Sequence, residues 1–310
     1  MIVAAMGEYR EIYSNGNVEG SKIVRLTSDG LPDAGFIHEF YSELNENIYA
    51  LALQPDGKIL VAESFVARWG GSLSRDAIHN AGLVYNSSRN FNINRYLSDG
   101  KSDRGFCLDT QKKGPNREVL AMAAQADGKI IIGGWFFNYN GTSMRYCVRV
   151  NPNGSIDPTF NAGGDGFNKK VTAIVIQPDG KIIVGGMFTS YNNEPVSGII
   201  RLNEDGTKDL SFNYTLLPLN NEVYGLALQA DGKLLVGTLG RAFRLNADGS
   251  TDEGFSGLVT ATFGVFYPYV SAITVQPDNK ILIGGYFSSI QGSSRISNIG
   301  RLNEDGTRDI

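Results

Sequence analysis

The feature that most constrains this chain is a short string that occurs five times along it. One copy, "IQPDGKIIVGGMF", runs from Ile176 to Phe188. A catalytic mechanism does not require many copies of one turn, whereas a repeated structural unit does. We therefore interpret the chain as a repeat protein. The other copies lie at Leu53–Phe65, Ala124–Phe136, Leu228–Gly240 and Val275–Phe287.

Each string is associated with a second pattern, Arg-apolar-x-x-Asp-Gly followed by Asp-x-x-Phe, as in "RLNEDGTKDLSF" at residues 201–212. Glycines of this pattern stand at Gly30, Gly100, Gly154, Gly206, Gly249 and Gly306, in steps of 70, 54, 52, 43 and 57 residues. Six repeats thus cover nearly the whole chain, and we predict one domain over residues 1-310. The approximate repeat boundaries are 1-36, 48-106, 118-160, 171-212, 222-255 and 270-310.

The apolar runs are short, rich in Val and Ile and bounded by turn residues, which is typical of strands buried on both faces. Asp-Gly supplies the positive φ of a tight hairpin, and Asn279 takes that place in the last copy. About four strands in about 50 residues predict an all-β fold. We expect a β-propeller of about six blades, mostly antiparallel four-stranded sheets, or seven if the chain is a fragment. Cores between blades should contain Ile174, Val184 and Ile200.

Composition excludes several classes of protein. Lys+Arg 28 against Asp+Glu 32 gives a net charge of −4, which does not indicate a nucleic-acid or anionic-membrane partner. No apolar run is long enough for membrane insertion. Cys107 and Cys147 occupy different positions of the repeat, so neither a disulfide framework nor a metal site is indicated. The opening "MIVAAM" does not have the features of a signal peptide.

The pattern V-x-x-I-x-x-Q-P-D-G-K-I-x-x-G-G-x-F followed by R-L-N-x-D-G-x-x-D-x-x-F resembles the delta-60 repeat family of β-propellers. The resemblance extends over nearly the whole chain and is close in Val171–Phe212. It implies a propeller of the kind found in large bacterial secreted or surface proteins and in phage structural proteins. It implies no catalytic residues. Two repeats depart from the pattern. The second has Ala62-Glu63 in place of Gly-Gly, and the fifth has "LLVGTLG" in place of the segment that ends in Gly-Gly-x-Phe.

The boundaries of the chain leave three interpretations of ring closure open. The chain opens on a second strand and stops at Asp309-Ile310, before the expected Phe. It is then a fragment of a longer polypeptide, or it takes a strand from a neighbouring subunit or domain, or its ring closes with an incomplete blade.

In an up-and-down blade the two Asp-Gly turns lie on one face and the connection from the second to the third strand lies on the other. That connection varies from 4 residues, Gly240 to Arg244, to 30 residues, Phe65 to Arg95. Because binding residues concentrate on loops held by a rigid scaffold, we predict that the variable face binds the partner. The alternative is that several of the aromatic residues cover blade edges or pack between neighbouring blades. The candidates are Arg68, Trp69, His79, Tyr139, Tyr191, Phe263, Tyr267 and Tyr269.

Two repeated polar sets have structural interpretations. Asn203, Asp205 and Asp209 loosely resemble a Ca²⁺ loop but lack its full ligand set, so we predict an ordinary turn and no cofactor. The recurring arginines could form an anion-binding ring, but we expect each to pair with the aspartate of its own repeat. These arginines are Arg25, Arg95, Arg149, Arg201, Arg244 and Arg301.

Nothing in the repeats points to an enzyme. His38 and His79 are the only histidines, and neither belongs to a triad or metal-ligand spacing. We predict a non-catalytic binding or structural module of a phage virion, in its tail or surface, that contacts other virion or surface proteins and glycans. The alternatives are an extracellular bacterial adhesin-type propeller and a carbohydrate-active propeller enzyme. We expect a virion or extracellular location and a larger assembly or longer polypeptide.

Overall fold

The computed structural model describes residues 2–13, 16–36, 45–66, 90–103, 105–106, 114–214, 222–255, 257–260, 268–292 and 298–309. The chain divides into two compact units, Met1–Asp157 and Pro158–Ile310. Every regular element within the described ranges is a β-strand. No helix that could cross a membrane is therefore present in this part of the chain.

The first unit contains three antiparallel sheets, one for each of its repeats. Their strands are β1 (Ile2–Tyr13) and β2 (Gly16–Arg25); β3 (Asn45–Leu53), β4 (Ile59–Val66) and β5 (Asn90–Tyr96); and β6 (Val119–Ala124), β7 (Ile130–Gly134) and β10 (Cys147–Val150). A small ribbon of β8 (Asn138–Tyr139) and β9 (Thr142–Ser143) lies in the connection from β7 to β10.

The second unit also contains three sheets with the same strand order along the chain. Their strands are β11 (Val171–Ile176), β12 (Ile182–Gly186) and β15 (Ile199–Leu202); β16 (Val223–Leu228), β17 (Leu234–Thr238) and β18 (Arg241–Leu245); and β20 (Tyr269–Val275), β21 (Ile281–Tyr286) and β23 (Ile299–Leu302). A second ribbon pairs β13 (Ser190–Tyr191) with β14 (Glu194–Pro195). β19 (Gly257–Thr260) pairs with β18 on one side and with β22 (Ser289–Ile290) on the other, which extends that sheet to five strands.

In the five repeats that contain it, the first turn closes the hairpin as predicted. The amide of Gly180 donates to the carbonyl of Gln177 at 2.9 Å, with a φ of 84° at Gly180. Asn279 adopts the same conformation with a φ of 62°, since asparagine tolerates the left-handed region. The Asp-Gly and Asp-Asn dipeptides therefore provide the local reason for each antiparallel pair.

The Gly-Gly pair lies at the end of the second strand, where that strand approaches the start of the first strand of the same sheet. A Cβ atom on Gly186 would lie 2.4 Å from the carbonyl oxygen of Lys170, and one on Gly134 would lie 2.2 Å from that of Glu118. Real Cβ atoms do not approach backbone oxygens so closely. Glycine is therefore required there by the close approach of two backbones.

Within the described residues, the fourth strand is a single bridge in every repeat except that of β18, where β19 also pairs with the third strand. In the repeat of β11, Leu202 pairs with Lys208, and the amide of Asp209 then donates to the carbonyl of Arg201 at 2.9 Å. The amide of Phe212 donates to the carbonyl of Asp209 at 3.3 Å, which closes a turn over Asp-x-x-Phe. This turn places the aspartate and the phenylalanine beside the third strand.

The core lies between successive sheets because alternate residues of a strand point to opposite faces. In the second unit, Leu234 and Val236 pack in one cluster with Ile183 of the preceding repeat. Leu235, between them, packs in another cluster with Ile281 of the following repeat. Both faces of the sheet are therefore buried, as the apolar runs predict. The residues expected in the core are also buried: Ile174, Val184 and Ile200.

Candidate functional site

Each sheet has two ends that differ in chemistry. We call the end with the two Asp-Gly turns the turn end. The opposite end, here called the glycine end, is where the first strand begins, the second strand finishes at its Gly-Gly pair and the third strand begins. The glycine end corresponds to the variable face predicted from the sequence.

At the turn end, the recurring arginine pairs with the aspartate of its own repeat, as predicted. The Nε atom of Arg201 donates to Oδ2 of Asp209 at 2.6 Å, and its guanidinium lies 4.8 Å from the ring centre of Phe212. The Arg-Asp-x-x-Phe elements of the sequence thus meet in one buried contact. The other pairs are Arg25–Asp33, Arg95–Asp103, Arg149–Asp157, Arg244–Asp252 and Arg301–Asp309.

The lysine of the first turn binds the same aspartate. The Nζ atom of Lys181 lies 2.8 Å from Oδ2 of Asp209. Burial alone would raise the pKa of Asp209, but hydrogen bonds from Lys181, Ser211 and Arg201 outweigh it and hold that pKa well below its usual range. In the next repeat, the lysine and the arginine lower the pKa of Asp252 to about 2. The other lysine pairs are Lys58–Asp103, Lys129–Asp157, Lys233–Asp252 and Lys280–Asp309.

The same arginine also reaches a backbone carbonyl of a following repeat. Nη1 of Arg201 donates to the carbonyl of Ala247 at 2.7 Å, and Nη1 of Arg244 donates to that of Glu304. In the first unit, Nη1 of Arg95 donates to the carbonyl of Pro152. Because Nε and Nη1 of each of these arginines are engaged inside the protein, the three side chains stabilise the fold and do not form an open anion site.

The connection from the second to the third strand folds back along its sheet. The hydroxyl of Tyr191 in β13 donates to the carbonyl of Gly206 at the turn end, at 2.6 Å. At the tip of the ribbon, Nδ2 of Asn192 donates to Oδ1 of Asn161. The backbone amide of Asn161 in turn donates to the backbone carbonyl of Asp205. The ribbon therefore starts and finishes at the glycine end, but its tip lies beside the turn end.

This geometry corrects the expectation for two candidate binding residues. Tyr191 is 2% exposed, and Tyr139 at the matching position of the first unit is 0% exposed. The hydroxyl of Tyr139 donates to the carbonyl of Gly154 at 3.2 Å. Both tyrosines belong to the packing of the ribbon on its own sheet, and they present no surface to a partner.

One candidate of the second unit, Tyr269, lies in a row of three tyrosines. Its ring centre is 5.2 Å from that of Tyr224 and 6.0 Å from that of Tyr286. The hydroxyl of Tyr224 donates to the carboxylate of Glu222, and Tyr286 is 50% exposed. The row therefore forms an aromatic surface at the glycine end. The remaining candidates lie outside the described residues: Arg68, Trp69, His79, Phe263 and Tyr267.

An arginine–aromatic cluster of Arg117, Trp135, Phe137 and Tyr146 occupies the glycine end of the first unit. The guanidinium of Arg117 lies 5.1 Å from the ring centre of Trp135 and 5.4 Å from that of Phe137. The ring of Tyr146 meets Phe137 edge to face, with centres 5.4 Å apart. Trp135 is 45% exposed. Sequence analysis missed this cluster; the one signal was tryptophan at the variable position of Gly-Gly-x-Phe.

The residues that resemble a Ca²⁺ loop are engaged in other contacts. Oδ1 of Asp205 accepts hydrogen bonds from the amide and the hydroxyl of Thr207, at 2.9 and 2.7 Å. Asn203 donates to the same hydroxyl at 2.9 Å, whereas Asp209 binds Arg201. These side chains hold an ordinary turn. In the part of the chain that the structure describes, no three His, Cys, Asp or Glu side chains are placed to hold a metal.

Glu63 replaces the second glycine in the sheet of β3 and is 6% exposed. Burial raises the pKa of its carboxyl to about 7, although a hydrogen bond from Nδ2 of Asn94 partly opposes the shift. A buried carboxyl without access to a substrate cannot act as a general acid. We therefore assign Glu63 to the interior of the sheet.

Comparison with protein families supports the fold. Residues 10–36, 125–160, 177–212, 229–255 and 276–309 match the family described as a domain of unknown function (DUF5122) β-propeller. These segments make up about half of the chain, and four of them begin at the glutamine of the first turn. The match confirms the prediction of a β-propeller.

Solved structures of similar fold are distant in sequence. A Bacteroides caccae protein of unknown function is 12% identical, with a TM-score of 0.48 over 99% of this chain and 91% of that one. The extracellular domain of BT4673 from B. thetaiotaomicron is 13% identical, with a TM-score of 0.47 over 95% of this chain and 32% of that one. XC5397 of Xanthomonas campestris, a gluconolactonase, is 16% identical, with a TM-score of 0.46 over 85% and 75%. No curated protein matches the sequence.

Proposed function

The chain belongs to the DUF5122 β-propeller family, and we propose that it is a non-catalytic binding module that holds a protein or a glycan at the glycine end of its sheets. One observation carries this proposal. The turn end uses its polar side chains in the same internal contacts in repeat after repeat, whereas the glycine end presents different residues in each repeat. Large aromatic side chains are exposed there, with Trp135 at 45% and Tyr286 at 50%. Exposed aromatic residues of this kind are common at binding surfaces.

The non-catalytic part of this proposal is supported by the carboxyl groups of the repeated aspartates and of Glu63. Those of the repeated aspartates are held charged by lysine and arginine, as at Asp209 and Asp252. The one at Glu63 is buried against Asn94. A glycoside-cleaving pair would need one exposed carboxyl of raised pKa opposite a second carboxylate, and these groups do not have that arrangement.

We also place the protein in an extracellular assembly, as a component of a phage virion or of a bacterial surface. The resemblance of its repeats to the delta-60 family supports this location, because such propellers occur in these two settings. The balanced charge, −4 over 310 residues, agrees with protein or glycan partners.

A binding screen with the complete chain tests the proposed function. The purified protein should bind members of a glycan array, or a purified structural protein of its own particle or cell surface. Trp135→Ala and Tyr286→Ala should weaken that binding without lowering the melting temperature. Leu210→Ala is the matched control, since Leu210 is 78% exposed at the turn end. Loss of binding in the Leu210 variant alone, or chemical turnover of a bound glycan, would contradict the proposal.

A further inference from the structure

Tyr146 occupies a backbone position that disfavours a bulky residue. Its φ is 67°, in the left-handed region where residues with a Cβ atom are uncommon. The corresponding positions of two later repeats carry Gly198, with a φ of 70°, and Asn298, with a φ of 68°. The backbone carbonyl at this position accepts the same hydrogen bond in different repeats. The amide of Gly134 donates to the carbonyl of Tyr146, and the amide of Gly186 donates to that of Gly198, both at 2.9 Å. The scaffold thus requires this conformation but not a tyrosine.

Tyrosine at this position supports the arginine–aromatic cluster. Its ring packs against the edge of Phe137, and Phe137 and Trp135 both lie against the guanidinium of Arg117. Stacking on two rings fixes the plane of a guanidinium and leaves the donors along its edge free for an anion. Among the described residues, no carboxylate forms an ion pair with Arg117.

The next repeat shows that the fold does not need this cluster. It makes the same backbone contacts: the amide of Met187 donates to the carbonyl of Lys170 at 3.0 Å, as that of Trp135 does to Glu118 at 2.8 Å. Unfavourable backbone conformations that a fold retains are concentrated at functional sites. The residues at the four cluster positions of the next repeat are Lys169, Met187, Thr189 and Gly198.

We propose that Arg117, Trp135 and Tyr146 form a binding site for a carboxylated sugar ring, such as a hexuronate; this rests on the proposed function and specifies its ligand. The forked guanidinium of Arg117 would bind the carboxylate through two hydrogen bonds. The half-exposed indole of Trp135 would stack on the C–H face of the pyranose, because an aromatic face is electron-rich. Glu118, next in the chain, keeps Oε2 out of solvent.

A sugar fits this surface better than an acidic peptide does. An aspartate or glutamate side chain would supply the carboxylate but has no flat C–H face to stack on the indole of Trp135. A hexuronate carries both a carboxylate and a flat C–H face on one rigid ring, so a single residue of the ligand satisfies both groups. Rigid ligands also lose less conformational entropy on binding.

Titration calorimetry of the complete chain with tetragalacturonate tests the site. Its methyl ester, which has the same rings without charge, and a short polyglutamate peptide should each bind at least about tenfold more weakly. Arg117→Lys, Trp135→Met and Tyr146→Gly should each weaken tetragalacturonate binding by about tenfold or more. Each of them installs the residue that the next repeat carries, so folding should be kept. Tyr146→Gly should also hold or raise the melting temperature, which separates binding from stability. Met187→Ala is the matched control.

Four outcomes would overturn the inference: no binding of tetragalacturonate, equal binding of the ester, equal binding of polyglutamate, or unchanged binding by the three variants. If tetragalacturonate fails while a neutral glycan or a protein still binds at the glycine end, the inference fails and the proposed function stands.

Discussion

Nε of Arg201 lies 2.6 Å from Oδ2 of Asp209, and both residues are 7% exposed. Arg201→Ala should lower the free energy of unfolding by about 2–3 kcal/mol, because a buried charged hydrogen bond is lost and the carboxylate stays buried. Ligand binding should be unchanged. Chemical denaturation of the variant measures the first effect, and calorimetry with the bound partner measures the second.

The control for this variant is Arg145→Ala, at an exposed arginine. It should change the free energy of unfolding by no more than about 0.5 kcal/mol. Unchanged denaturation of the Arg201 variant, together with lost binding, would instead assign the repeated arginines to ligand recognition.

The aspartates of the repeat make stability depend on acid pH. The pKa of Asp252 is about 2 in the folded protein, below its ordinary value of 3.8. Its contribution is therefore complete above pH 4 and is lost as the pH falls towards 2. Asp252→Asn should lower the melting temperature at pH 7. The melting temperature of this variant should also fall less between pH 4 and 2.5 than that of the unchanged protein. An acid-induced loss of the same size in both proteins would show that Asp252 does not contribute.

Glu63 should have the opposite pH dependence. Its pKa is raised from 4.5 to about 7, so the folded protein binds the proton more tightly than the unfolded chain does. The stability from this group is present below pH 4.5 and is lost as the pH rises through 7. Glu63→Gln, which can still accept the hydrogen bond from Asn94, should raise the melting temperature at pH 8 and change it little at pH 5. Melting curves at the two pH values decide; a larger effect at pH 5 would contradict the burial argument.

The hydroxyl of Tyr191 should stabilise the ribbon. Tyr191→Phe removes its hydrogen bond to Gly206 and leaves a buried carbonyl unpaired, which costs about 1–2 kcal/mol of unfolding free energy. Tyr139→Phe is the matched variant and should cost less, because its bond is 3.2 Å rather than 2.6 Å long. Neither change should affect binding. Reduced binding at unchanged stability would restore the original prediction that these residues contact the partner.

The longest connection remains a predicted contact with the partner. Replacing Arg68–Ser88 by a short turn, or changing Trp69→Ala, should weaken binding and leave the melting temperature unchanged, because the sheet of β4 and β5 closes without that segment. Calorimetry and melting curves of the same preparations give both quantities. Normal binding by the shortened protein, with binding lost on changing the "QPDGK" turns, would place the site at the turn end.

The strands and the arginine pairs could be predicted because their signals recur in each repeat. The arginine and the aspartate are eight residues apart in every copy, as Arg201 and Asp209 are, so the spacing itself indicates that the two side chains pair. The course of the ribbons could not be predicted in this way. Tyr191 meets Gly206 fifteen residues later, across a polar connection that resembles an exposed loop.

The arginine–aromatic cluster was not predictable for a related reason. Arg117 lies outside the repeated patterns and Trp135 occupies a variable position of one, and only the folded sheet brings them together. The conformation of Tyr146 has no local signal either. Its equivalence to Gly198 and Asn298 becomes apparent once the backbone shows that all three share one φ.

The hydrogen bond from Nη1 of Arg201 to the carbonyl of Ala247 has a consequence for how such a chain changes during evolution. Donor and acceptor belong to different repeats, and each repeat that supplies such a donor can also supply an acceptor to the one before it. Gain or loss of a whole repeat therefore conserves the bond across the new junction, since any repeat's turn offers the same backbone oxygen. An insertion of part of a repeat does not. Lengthening should thus proceed in whole units, while residues at the glycine end diverge independently within each unit.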